Sequence, residues 1–480
     1  MQKPLRWFDA ITINIYFFAL TLRNQTLTPL ILPLLVQQFM GDELKGTSYG
    51  RIRLVSLMVA LLAQAIAGML SDRSTSRLGK RRPYILLGTV LEVLIFVLIG
   101  VIASTLSGTA GYNALFGLVI FSMIASNTAQ GAAQGLIPDL VPPDQRGRYS
   151  AIKALFEVPL PLILVSFVIS RLVGAGNLWG AIFTVIGVLV VCTILVIFVP
   201  ETPQKEVPFP MNWGEVDKLA GMTAAFTLVI VAAGSGVRAL VPILIALPSP
   251  KGQLLTGLVG VAGMLLAVTV GVIASLRISL GNEARQKPAF TWWVINRLAF
   301  MVGATNLASF LLYFLQERFP YLIGASAAQP ASLLVMVVGL AILVITLPAG
   351  WLTDKFGTKP VIAASGVLAT VGTAIVVMAQ SMALIYLGGV LVGVGVGMFY
   401  SSNWALGTRL VPQEQAGRYL GISNLAGAGA GAIGAYIGGP IGDGAGYTLL
   451  MGTYGFLFLF SIFALSGIKP DGEFTQSNQA

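Results

Sequence analysis

Apolar runs of more than twenty residues recur along the whole chain, divided by short polar stretches. A hydrocarbon core takes about 20 apolar residues per helix. On that measure the pattern predicts spans near 10–36, 50–71, 84–105, 112–138, 148–171 and 178–199, then 219–247 and 253–276. Six more follow at 290–317, 326–352, 361–381, 383–408, 418–440 and 447–468. The polar stretches are unequal. Gly68–Pro83 reads GMLSDRSTSRLGKRRP and sets Arg73, Arg77, Lys80, Arg81 and Arg82 against one acid, Asp72. Lys and Arg resist translocation, so such a loop stays cytoplasmic. The other inside loops are then 139–147, 200–218, 277–289, 353–360 and 409–417, and nearly all the bases fall in them or at adjoining helix ends. An even number of spans puts both termini in the cytoplasm, with the chain in the cell membrane.

Two stretches occur twice. Gly350–Pro360 (GWLTDKFGTKP) echoes the loop at Gly68, at an offset of 282. Leu140–Leu155 (LVPPDQRGRYSAIKAL) and Leu410–Leu425 (LVPQEQAGRYLGISNL) agree at nine of sixteen positions, at an offset of 270. The first six spans therefore repeat as the last six. This predicts an all-α integral membrane protein of 6 + 2 + 6 = 14 helices in two pseudo-symmetric bundles. Residues 1–199 form the first bundle, 200–289 the linker segments and a two-helix insertion, and 290–480 the second bundle with a short tail. Such repeats mark secondary transporters, whose solute site lies at the repeat interface near the bilayer midplane.

Composition sharpens this. The chain is 56% hydrophobic and 10% charged, against about 25% charged for a soluble domain, so its partner is the lipid bilayer. The net charge of +10 sits in the inside loops and implies no nucleic acid. The lone cysteine, Cys192, allows no internal disulfide and reads as core packing. The absence of histidine excludes histidine metal sites, proton relays and triads. The first apolar stretch is too long for a cleavable signal. No phosphate loop or dinucleotide fingerprint stands out, so no cofactor is expected. Energy would come from a proton or sodium gradient, and the partner would be a small solute handled by a monomer. A membrane enzyme would need a nucleophile with a base, a metal site or paired carboxylates on adjacent helices, and none is evident.

The G-x-L-S-D-R…G-K-R-R-P pattern after the second span resembles the signature loop of the major facilitator superfamily, and the likeness extends over both halves. The run Arg77–Pro83 resembles the version found in sucrose/proton symporters and the related glycoside–cation symporters. The central insertion resembles that of fourteen-helix drug/proton antiporters. The resemblance implies two rocking six-helix bundles, a cavity lined by helices one, four, seven and ten, and cytoplasmic charge clusters that lock one state. Proton-coupled uptake of a sugar or glycoside is the first expectation. Proton-driven export of amphipathic compounds comes second, and a membrane-embedded enzyme is a remote third.

Charges within a span are costly and need a partner or a task. Arg23 lies midway along the first span beside Asn24. Lys153 and Glu157 are four residues apart, on one helix face. Their repeat counterparts are Ser423 and Gly427, so this pair belongs to one half only. Pro159 and Pro161 remove amide donors and free the carbonyls of Leu155 and Glu157. Glu157 is the expected proton carrier, with Lys153 or Arg23 as its basic partner; the other reading is a static pair joining helices one and five. Glu92, in a helix that the resemblance makes peripheral, is expected to be a structural partner. Asn127, Gln130 and Gln134 form one stripe, and their counterparts are Gly397, Tyr400 and Trp404. A polyol needs both amides for its hydroxyls and an aromatic plate for its ring. The expected solute-binding set is thus Arg23, Asn24, Asn127, Gln130, Gln134, Tyr400 and Trp404, with Asn296 and Asn306 of the same kind. The expected cytoplasmic gate is Asp72, Arg73, Asp139, Asp354 and Arg409, with Asp139 paired to a base of the first loop (Arg73 best placed) and Arg409 to Asp354. Arg238 and Arg297 read as snorkelling near span ends, and Trp7, Trp213, Trp292 and Trp293 as interfacial anchors.

Overall fold

The computed structural model describes residues 6–203, 213–281, 283, 288–410 and 416–468, and the side chains of 416–426 lie outside that description. Most of the second motif copy, Leu410–Leu425, is therefore outside it, as are parts of the expected inside loops 200–218, 277–289 and 409–417 and the tail from 469. No strand occurs among the described residues. The chain runs α1 (Asp9–Thr26), a π-helical turn (Leu27–Ile31), α2 (Leu32–Met40), α3 (Lys45–Asp72), α4 (Arg82–Thr105), α5 (Gly108–Gln134) and α6 (Leu136–Leu140). It continues through α7 (Arg146–Glu157), α8 (Pro159–Leu164), a second π-helical turn (Val165–Ile169), α9 (Ser170–Gly174), α10 (Leu178–Ile197), α11 (Trp213–Ile245) and α12 (Lys251–Leu280). Then come α13 (Pro288–Ser309), α14 (Leu311–Arg318), α15 (Ala328–Phe356), α16 (Thr358–Met378), α17 (Met382–Leu410), α18 (Ala416–Ala445) and α19 (Tyr447–Ala464). Among the described residues eleven helical stretches are long and apolar enough to cross a membrane, and the pair α13 and α14, broken at Phe310, brings the number to twelve.

The breaks have local causes. Pro29 lies in the first π turn and supplies no amide to the helical ladder there. Pro159 and Pro161 do the same after Glu157: α7 stops, and Val158 sits at φ −118°, ψ −74° before α8 resumes. Sidedness is equally legible on α4. Leu87, Val90, Leu91, Leu94, Leu98 and Val101 are exposed, whereas Gly88, Thr89, Glu92, Phe96 and Ile99 are buried. A helix that turns leucine outward and keeps threonine and glutamate inside is built for lipid.

The chain forms two compact units, Met1–Asp217 with Ser309–Gly339, and Lys218–Ala308 with Leu340–Ala480. In the first unit, Ile13, Tyr16, Phe17 and Leu20 of α1 pack with Ile85 of α4, Ala129 and Ala133 of α5 and Val196 of α10. Small residues let α5 approach α3 closely: a Cβ on Gly131 would stand 2.6 Å from the Gln64 carbonyl oxygen. The segment after Phe310 belongs to this unit. Tyr49 meets the Phe310 ring edge-on at 5.3 Å, the Tyr313 hydroxyl donates to the Pro33 carbonyl at 2.7 Å, and Gln316 donates to Gln37 at 3.0 Å. Beside them Lys45 donates to Asp42 at 2.7 Å and Gln37 at 2.8 Å, which together hold the Asp42 carboxyl below its usual range.

In the second unit α16 and α17 cross so tightly that a Cβ on Gly388 would lie 2.6 Å from the Gly372 carbonyl oxygen. Phe300 of α13 stacks on Phe399 of α17 at 3.7 Å between centroids. The two extra helices pack here: Gly234 of α11 lies against Tyr436 of α18, and Gly260 of α12 against Ile441.

Candidate functional site

The first unit holds a charge where the chain can least tolerate it. Arg23 of α1 is fully buried, and its Nε donates to Glu92 Oε1 at 2.5 Å. Its remaining nitrogens donate to Asn24 Oδ1 at 2.7 Å and to the Ser122 hydroxyl of α5. Ser122 in turn donates to Glu92 Oε1 at 2.7 Å. Three helices, α1, α4 and α5, are thereby tied through one carboxylate oxygen. The other oxygen, Oε2, is buried with no hydrogen-bond partner among the described residues. Two turns of α1 earlier, Tyr16 joins Thr89 and Thr193 in a hydroxyl chain at 2.8 and 3.0 Å that links α1, α4 and α10. Glu92 is thus the partner of Arg23. Arg23 does not pair with Glu157, because Glu92 already occupies its guanidinium.

Glu157 pairs instead with Lys153, 3.3 Å away on the same helix. Both side chains are partly open, at 37% and 27% exposure, and the Lys153 ammonium lies 4.3 Å from the centroid of Phe17 on α1. The contact between α1 and α7 is therefore cation–π and aromatic, with Phe18 edge-on to Phe156 at 6.5 Å, rather than an ion pair between helices. The amide stripe of α5 is graded: Asn127 is buried and returns its Nδ2 to the Met123 carbonyl at 2.8 Å, Gln130 is half-buried and Gln134 exposed. Asn24 is also exposed.

At the basic end of this unit Asp139 receives Arg81 Nε at 2.8 Å and Lys80 at 3.1 Å, and Arg81 also meets Asp72 and Ser71. Arg73, the base expected opposite Asp139, instead caps α3 and donates to the Met69 carbonyl at 2.8 Å, while the chain turns at Gly79 and carries Arg81 inward. Gly135 makes room for it, since a side chain there would overlap the guanidinium. Glu201, which sequence reasoning passed over, organises the turn. Its Oε1 accepts the amides of Lys80 at 2.9 Å and Arg81 at 2.7 Å, and its Oε2 that of Arg82 at 3.2 Å. A carboxylate on the free amides of a helix start satisfies orphan donors and the helix dipole together. Gly79 takes φ +102°, and a Cβ there would fall 2.5 Å from that carboxylate. The signal in the sequence is the Arg82-Pro83 helix start, which needs an acid from elsewhere. Asp354 and Arg409 lie at the ends of α15 and α17 in the second unit.

The second unit carries its own polar core. Arg297 is not near a helix end: it stands nine residues after Pro288 and twelve before Ser309 in α13. One Nη donates to Asn403 Oδ1 at 3.0 Å, Asn403 donates to Asn296 at 2.9 Å, and Asn296 donates to the Ser461 carbonyl at 2.7 Å. Snorkelling is ruled out by this fixed chain of bonds. The guanidinium lies 5.9 Å from the Trp293 ring and 5.8 Å from that of Trp404. Trp293 is buried, donates to the Asn403 carbonyl at 3.1 Å and packs on Gly407; it is a core residue, not an interfacial anchor. Trp7 and Trp213 are exposed, as anchors require, and Trp292 is half-buried against Gly467. Tyr400 and Trp404, one turn apart on α17, are open at 38% and 49%. Asn306 is buried and bonded to Val302 and Ala430.

A family model described as the Major Facilitator Superfamily matches residues 12–322 and 293–479. No curated protein matches the chain by sequence. Among solved structures, a mutant of the nucleoside transporter NupG is similar at 12% identity and a TM-score of 0.66, over 96% of this chain and 100% of that one. A mutant of the peptide transporter POT is similar at 16% identity and 0.66, over 95% and 93%. The human organic anion transporter MFSD10 (TETRAN) is similar at 16% and 0.52, over 96% and 100%.

Proposed function

The chain belongs to the Major Facilitator Superfamily, and from that premise we propose that it takes up a small sugar-like solute together with a proton by alternating access. It is a multi-pass membrane protein and a secondary transporter, not an enzyme. The fourteen-span reading adds the run Asp9–Met40 and α18 to the twelve spans counted above. The basic loop at Arg73–Arg82 faces the cytoplasm with both termini, and the cell membrane is the location. The similar structures are named for nucleosides, peptides and organic anions, and a small polar solute is the class taken over from them. In the second unit the open rings of Tyr400 and Trp404 supply aromatic faces for such a solute.

The observation that carries proton coupling is the Lys153–Glu157 pair. It is the one ion pair among the described residues that lies within a membrane-length helix stretch, is partly open on both sides, and sits directly before a proline break. A pair open on both sides is reachable from its surroundings, as the buried Arg23–Glu92 pair is not. Proteoliposomes holding the full chain, given an inward proton gradient and a panel of labelled hexoses and hexuronates, provide the test. Glu157→Gln should abolish gradient-driven accumulation and leave solute exchange intact; unchanged accumulation rejects Glu157 as coupler. The two extra helices α11 and α12 favour a second reading, proton-driven export of amphipathic compounds, and the direction of flux separates the two.

A further inference from the structure

Arg23 and Arg297 stand at corresponding places in the two halves, 274 positions apart where the motif offsets are 270 and 282, yet they are treated differently. Arg23 is neutralised by Glu92 at 2.5 Å. Pro83 and Pro360, at the starts of α4 and α16, are 277 apart, and the same offset carries Glu92 onto Ala369. The second half thus keeps the arginine and drops its acid. Among the described residues Arg297 forms no ion pair, and its one hydrogen bond goes to the neutral Asn403. Its side chain is half-buried, and its Nε is buried with no acceptor. The rings of Trp293 and Trp404 lie near the charge but supply no acceptor oxygen for the four remaining N–H bonds.

A guanidinium at this depth is not placed near an exit. Nine residues of helix separate it from Pro288, about 14 Å at ~1.5 Å per residue. A charge within a span and without a partner is strongly unfavourable unless something supplies the counter-charge. We propose that the counter-charge is a carboxylate on the solute: Arg297 holds it, and Trp404 and Tyr400 lie beside it as the wall for the rest of the molecule. This rests on the transport reading above and narrows its solute class to a small, ring-bearing monoanion. The charge of the ligand follows from the count of bases. α13 and α19 contain no charged residue other than Arg297, and α17 has only Arg409 at its end. One cation matches one carboxylate, whereas a dianionic phosphate ester would leave a negative charge unmatched. Geometry agrees, because the guanidinium fork offers parallel N–H donors to a planar carboxylate. Asn403, fixed by Asn296, aims the fork from behind.

The test uses probes of defined charge in place of the natural solute. Purified full-length protein is titrated with a hexuronate, benzoate and glutamate, each against its uncharged amide, and with inorganic phosphate, while melting temperature is read. At least one acid should raise the melting temperature where its amide does not, and phosphate should do less than that acid. Arg297→Gln should erase this difference and should raise the melting temperature of the ligand-free protein, because it removes an unmatched charge. Arg297→Lys, which keeps the charge and loses the fork, should retain part of the acid response. A purely structural arginine would behave oppositely, with Arg297→Gln lowering the ligand-free value. Equal shifts from acids and amides, no shift from any of them, or an acid response surviving in Arg297→Gln overturns the proposal. Transport itself is judged separately by gradient-driven accumulation of any solute, so a neutral solute that accumulates would sink the carboxylate and spare the transporter.

Discussion

Replacing Glu92 by Gln keeps the volume of the side chain and an acceptor for Ser122, and deletes only the negative charge. Arg23 has no exposure, and its other partners are the neutral Asn24 and Ser122. Removing one member of a buried pair costs about 3–5 kcal/mol, because the survivor stays charged and out of water. Removing both should cost far less, since well-packed apolar replacements of a buried pair are often neutral. The double variant Arg23→Met/Glu92→Leu should therefore be more stable than either single replacement. Lys153→Ala supplies the scale for an open pair: an i,i+4 contact on an accessible face is worth about 0.3–0.5 kcal/mol. Denaturant unfolding in detergent, followed by tryptophan fluorescence, measures all of these. If Glu92→Gln shifts stability no more than Lys153→Ala, or if the double variant is as unstable as the sum of the singles, the pair does not hold α1 to α4 and the reasoning fails.

Two further outcomes follow from packing. Glu201→Gln should destabilise the first unit by about 1–2 kcal/mol, as expected for a charged cap facing three amides; a change in melting temperature indistinguishable from zero would deny Glu201 that role. Gly388→Leu should cost about 1–3 kcal/mol or more by forcing α17 away from α16, and a variant that melts like the parent would show that the close approach at Gly372 is dispensable.

The spans are readable because hydropathy is a property of sequence alone: the expected spans 84–105, 178–199 and 383–408 sit within a few residues of α4, α10 and α17. The break after Glu157 is equally readable, from two prolines. Pairings are not. Periodicity says which face of a helix a residue occupies, but not which helix comes to meet it, so Arg23 could be assigned to Glu157 or Glu92 and only the packing of α1 on α4 decides. Arg73 likewise looks the better base for Asp139 until the turn at Gly79 carries Arg81 inward. Arg297 looks like a snorkelling residue because nothing in the sequence shows that Asn403 and Asn296 meet it and fix it in place. Glu201 looks like an ordinary loop acid, since its three partners are backbone amides with no signature in the sequence.

The central claim is that this chain couples solute movement to an ion gradient, and one recording addresses it directly. Proteoliposomes containing the wild-type protein and no imposed gradient are supplied with a solute that the panel has shown to bind, while external pH is followed. Coupled uptake predicts that the medium turns alkaline as solute enters, in fixed proportion to it, and that Glu157→Gln removes the pH signal. Solute entry with no proton movement, or acidification in its place, would contradict the account.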